Sequence, residues 1–186
     1  MKRGLRKEIY MDYFLLKQDK RYSNTPQILN LFNNFSTKDL NLVRADNIED
    51  NNLLYVKSAQ GIEYLDILYT PMFLVSEDLQ KILSKYNSNI IFKMIALTDY
   101  KKLEQHIYYL PIFEEVQALS EESEFNLNKS VVKKIVLDEN KIKNKKIFKV
   151  KESEQTLIVV RLDVAESILR RNFNGILLEK LEIKNK

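Results

Sequence analysis

The chain has 186 residues, 45% of them apolar and 30% charged, with a formal net charge of +4 at pH 7. That apolar content builds a substantial core and excludes a disordered chain, while three glycines and three prolines argue against long flexible linkers. The absence of cysteine excludes disulfides and thiolate metal centres.

The basic start MKRGLRK is like the head of a secretion signal, but Glu8 and Asp12 break the apolar stretch that should follow. No uncharged run approaches the roughly 18 residues of a membrane-spanning helix. The expected location is the cytoplasm, without membrane association. Ile9–Leu16 reads as an opening strand, Ser23–Pro26 as a turn, and residues 27–50 as irregular. Leu53–Val56 and Ile62–Tyr69 read as strands on either side of Gly61, the second ended by Pro71.

Ser76 is placed to cap a helix, since its hydroxyl can accept from an amide of the first turn. Leu79, Ile82, Leu83 and Tyr86 then recur at one helical face, Asn87–Asn89 stops the helix, and Ile90–Leu97 reads as a buried strand. Ile107–Phe113 reads as a strand interrupted at Pro111, which lacks a ladder donor and suits an edge or bulge. Ser130–Asp138 and Lys145–Glu152 read as strands joined by a polar surface link, ENKIKN.

The C-terminal stretch repeats the plan of the first helix. Thr156–Val160 is a strand, and Asp163 is a candidate cap for a helix burying Ala165, Ile168 and Leu169. Gly175 is free to take positive φ at the helix exit, before a strand at Ile176–Ile183. At constant offset Ile82 matches Ile168, Leu83 matches Leu169 and Ile90 matches Ile176. Duplication and the shared demands of strand–helix–strand packing both account for this likeness. The fold expected is α+β, a mixed β-sheet with a few helices including two strand–helix–strand units. Residues 1–186 are read as a single domain, divisible into subdomains 1–100 and 101–186.

The residues offer little for catalysis. His106 is the sole histidine and stands in no nucleophile motif, so a surface or strand-edge position is expected; nitrogen- or sulfur-rich zinc sites cannot be built. Three scattered glycines make no phosphate loop. No cofactor is expected. Charge is more informative. Glu114, Glu115, Glu121, Glu122 and Glu124 precede a lysine-rich run from Lys129 to Lys151. These form either two solvated faces or a docking surface that steers a charged partner. Tyr108 and Tyr109 point to opposite strand faces, leaving one available as an amphipathic anchor. Nucleic-acid binding is the weaker reading, because the lysines lack interleaved aromatics. A pocket with paired carboxylates is the enzymatic alternative.

Several patterns taken together resemble a known family. Val75, Ser76 and Leu79 form one helix start, and Tyr108 and Tyr109 precede an acidic segment bearing Ser123. Leu137, Asp138, Ile142, Ile147 and Phe148 form a third element, and a final strand–helix–strand carries Gly175. Over Tyr13–Ile183 the chain resembles a bacterial immunity-protein family of polymorphic toxin systems, the myxobacterial-type family formerly classed as a domain of unknown function. RLDVAES stands where a second Val-Ser-Glu start would be expected. The resemblance implies a binding protein, not an enzyme, that blocks a cognate toxin domain by stoichiometric occlusion. The contributors expected at that contact are Tyr109, Glu114, Glu115, Glu121, Glu122 and Glu124.

Overall fold

The apolar run YFLLK has no polar face, which suits a strand covered on both sides. In the computed structural model, which describes residues 11–29, 31 and 36–184, it forms β1, Tyr13–Gln18. Ile9 and Tyr10 of the expected opening strand lie outside the described residues. Next come β2 (Ile28–Leu29), β3 (Asn51–Val56), β4 (Ile67–Leu68), β5 (Leu74–Ser76), α1 (Glu77–Tyr86), β6 (Ile91–Asp99) and β7 (Glu104–Ile112). The second half holds β8 (Glu115–Val116), β9 (Glu124–Phe125), β10 (Val132–Lys134), β11 (Val136–Asp138), α2 (Glu139–Ile142) and β12 (Ile147–Val150). It ends with β13 (Ile158–Arg161), α3 (Leu162–Leu169), β14 (Ile176–Lys180) and β15 (Glu182–Lys184).

Two larger sheets result. One has the order β14-β1-β13-β12-β8, the other β2-β3-β6-β7-β5-β4; β9–β10 and β11–β15 are separate ribbons. Parallel pairs (β3 with β6, β8 with β12) sit among antiparallel ones, so the sheets are mixed and the α+β expectation holds. The two expected strand–helix–strand units are β5-α1-β6 and β13-α3-β14. Their topologies match. β7 lies antiparallel between β5 and β6, and β1 lies antiparallel between β13 and β14. Each helix therefore joins parallel strands that are not neighbours. α1 and α3 pack on each other. Leu79, Ile82 and Leu83 meet Val164, Ala165 and Ile168 in one central cluster, together with Leu16 of β1 and Val75 of β5. Two further clusters cover the outer faces of the sheets, one around Ile95 and Leu97, the other around Phe148 and Val159.

Ser76 caps α1 as expected, its Oγ accepting from the Leu79 amide at 3.4 Å. Gly175 has φ +74°, also as expected. Elsewhere the elements shift. The strand expected over Ile62–Tyr69 shrinks to β4, because Asp66 serves as a clamp. Its carboxylate accepts from Ser76 Oγ (2.6 Å) and from the Asn174 amide (2.7 Å). Its own amide donates to Asn174 O at 3.0 Å, and the Ser76 amide donates to Asp66 O at 2.9 Å. One residue thus ties the start of the first helix to the exit of the second.

Asp163 is not the cap of α3. Arg161 occupies the cap position without a side-chain bond, and Asp163 in the first turn instead forms a two-point ion pair with Arg161. That guanidinium, outweighing partial burial, holds the Asp163 carboxyl below its ordinary pKa. The helix begins two residues earlier than a cap at Asp163 requires, Val164 faces inward and Leu169 is exposed. Pro111 does not interrupt β7. It pairs with Phe92 beyond the last residue bonded to β5, where one missing amide is tolerated. Ser130–Asp138 splits into β10 and β11, and Ile176–Ile183 splits into β14 and β15 around buried Leu181. ENKIKN is not a plain surface link: Asp138 caps α2, which buries Ile142. The described residues within 27–50 are mostly irregular but contain β2 and short 3-10 turns at Thr37–Asp39 and Ala45–Asn47.

Candidate functional site

The acidic stretch and the lysine run are brought together as interleaved ion pairs. Lys145 Nζ lies 2.5 Å from Glu114, Lys149 2.8 Å from Glu115 and Lys184 3.0 Å from Glu122. Glu121 is exposed, and Glu124 sits opposite Lys134 in the β9–β10 ribbon. What reads along the chain as segregated charge is thus partly compensated across strands, at three of the five glutamates. Tyr109 is on the other large sheet, half-buried against the central cluster. Its neighbour Tyr108 is 3% exposed and donates to Leu65 O at 2.7 Å; burial pushes its hydroxyl above the ordinary pKa.

His106 is neither a free surface group nor a base beside a nucleophile. Its ring stacks on Tyr64 with centroids 3.4 Å apart and planes 12° from parallel. Burial lowers its pKa from 6.5, with Glu104 pulling back. The fold therefore favours neutral imidazole, so the stability this contributes is present above pH 6.5 and is lost as pH falls toward the depressed folded value. Wild type should lose more thermal stability than His106→Phe between about pH 7 and about pH 5.5. A melting-temperature difference that stays constant with pH would contradict this.

The feature not anticipated from sequence is an open sheet face. Register puts Leu53, Ala96 and Ile107 in one row across β3, β6 and β7, and Tyr55, Thr98 and Gln105 in the next. The opposite face of the same strands presents Leu54, Val56, Ile95, Leu97 and Tyr108 to a buried cluster. On the open side Leu53 is 48% exposed, Tyr55 47% and Ile107 40%. Asn51, Met94 and Tyr109 form the row on the other side of the Leu53 row, and Tyr109 packs against the central cluster. The open surface is therefore continuous with the core, anchored on three adjacent strands of a six-stranded sheet. It is rigid, mixed apolar and polar, and carries an exposed tyrosine, the composition of a protein-docking surface. A signal for it existed: LLYV and HIYYL are apolar at successive positions, so both faces of each strand are apolar while only one need be buried.

Among the described residues no helix is long and apolar enough to cross a membrane. A search of curated proteins returns no match. Residues 17–182, most of the chain, match the family model described as Immunity protein family (Imm11). The family resemblance carried by Val75–Leu79, Tyr108–Tyr109 and Gly175 is thus borne out, and the protein belongs to the Imm11 immunity family, whose role is toxin neutralisation.

Proposed function

We propose that this protein acts in the bacterial cytoplasm as the non-enzymatic, stoichiometric inhibitor of a cognate toxin domain from a polymorphic toxin system. Docking is through the open face of the six-stranded sheet. The observation that carries the reading is that Leu53 and Ile107 stand exposed on either side of buried Ala96, beside exposed Tyr55. Covering those side chains releases water from apolar area, and the strands beneath them lose no conformational freedom on binding. The acidic segment Glu114–Glu124, with its lysine partners, lies on other strands and contributes polar rim contacts that set register rather than affinity.

The test uses the toxin domain encoded by the adjacent reading frame. Leu53→Asp/Ile107→Asp should fold like wild type, since both side chains are already exposed. It should bind the toxin at least about tenfold more weakly, because each change places a carboxylate in a desolvated contact. It should also fail to rescue cells. Undiminished affinity in the double variant overturns the surface. Neutralisation by far less than one equivalent overturns the stoichiometric mechanism.

A further inference from the structure

A second surface lies on the five-stranded sheet, away from the open face. A groove of about 780 Å³ runs along β1 from Leu15 past Lys17 and Gln18 to Lys20, walled on the far side by Lys133 and Lys134 of β10. Its volume falls in the range of ligand-binding clefts, about 300–1,000 Å³. Leu15, Leu157 and Leu181 contribute aliphatic floor. Five lysines line it (Lys17, Lys20, Lys133, Lys134 and Lys180) against two carboxylates, Glu179 and Glu182.

The pairing of these charges is uneven. Lys17 is bonded to Glu179, Lys134 to Glu182 at 2.8 Å, and Lys180 to Asp12 at 2.8 Å. Those pairs fix three ammonium groups along the walls. Lys20 and Lys133, both exposed, have no carboxylate within 4.0 Å among the described residues. These two exposed ammonium groups leave the groove net positive, which favours an anionic occupant. Tyr22 and Tyr69 also line the groove, but the leucine floor offers an aliphatic side chain a contact and a nucleobase no ring to stack on.

We infer that this groove receives an extended acidic segment of a protein partner, carboxylates toward Lys20 and Lys133 and an apolar side chain on the leucine floor. Taking that segment to belong to the toxin rests on the protein-binding reading above; the groove's chemistry does not.

A fluorescein-labelled Glu-Leu-Glu-Leu-Glu peptide tests the groove without the toxin. Anisotropy titrations at low salt should saturate with the acidic peptide and not with Lys-Leu-Lys-Leu-Lys, and should weaken as salt screens the contact. Lys20→Glu/Lys133→Glu should lower affinity about tenfold or more, while Lys57→Glu/Lys101→Glu, outside the groove, should change it less than about twofold. Leu53→Asp/Ile107→Asp should leave peptide binding intact, which separates the two surfaces. The inference fails if binding does not saturate, if both pairs of reversals weaken it equally, if the sheet-face variant abolishes it, or if a single-stranded oligonucleotide displaces the peptide at lower concentration.

Discussion

Gly175→Ala should destabilise the protein by about 2–5 kcal/mol. The left-handed conformation costs an L-residue about 1–2 kcal/mol, and forcing a methyl into packed atoms adds about 1–3. Both terms apply. The residue sits at φ +74°, and a Cβ built there would lie 2.6 Å from Leu65 Cδ1 and 2.9 Å from Leu65 Cβ. Leu65 cannot swing away freely, being 3% exposed inside the second cluster and bonded through its carbonyl to Tyr108. Gly61 is the internal control. It too has positive φ, at +67°, but a Cβ there meets only Asn24 Nδ2 at an ordinary 3.5 Å. Gly61→Ala should therefore show the backbone cost alone, about 1–2 kcal/mol. Urea denaturation of both variants checks the difference. Equal losses would mean that the approach of Leu65 carries no energetic weight.

Asp66→Ala should cost about 2–4 kcal/mol, more than any single exposed ion pair. Hydrogen bonds to a charged acceptor contribute roughly 1.5–3 kcal/mol each, discounted here because the carboxylate is half-buried. The substitution strands the Asn174 amide and frees the Ser76 hydroxyl that caps α1. Ser76→Ala alone should cost about 1 kcal/mol as a lost cap. The double variant should fall short of the sum by about 0.5 kcal/mol or more, since the residues share a bond. Strict additivity in denaturation midpoints would show that the clamp does not couple the two units.

Asp66 also marks where the sequence stops being legible. Along IEYLDILY an aspartate looks like one more polar position in a strand, because its partners Ser76 and Asn174 are remote in the chain. α1 was readable because its cap, dipole-matched charges and apolar period agree within ten residues. α3 gave a weaker local signal. Asp163 looks like a cap, yet its bond to Arg161 makes it a first-turn anion instead. The glutamates and lysines follow the same rule, since Glu114 and Lys145 are far apart in sequence and adjacent only after β8 pairs with β12. The open sheet face was hidden for a different reason. Leu53 and Leu54 are chemically alike, and only the packing of Leu31, Ala45 and Ile48 onto one side of the sheet decides which is covered.

The threading of β1 between β13 and β14 has a consequence for biosynthesis. Phe14 bonds on one side to the strand containing Val160 and on the other to the strand containing Lys180. Both neighbours of β1 are translated long after it. At roughly 5–20 residues per second, the nascent Tyr-Phe-Leu-Leu segment waits on the order of ten seconds or more for its neighbours to be translated. Such non-local pairing is slow and leaves a sticky segment unshielded, so a chaperone that holds this early stretch should raise the yield of native protein in cell-free synthesis more than one added after release.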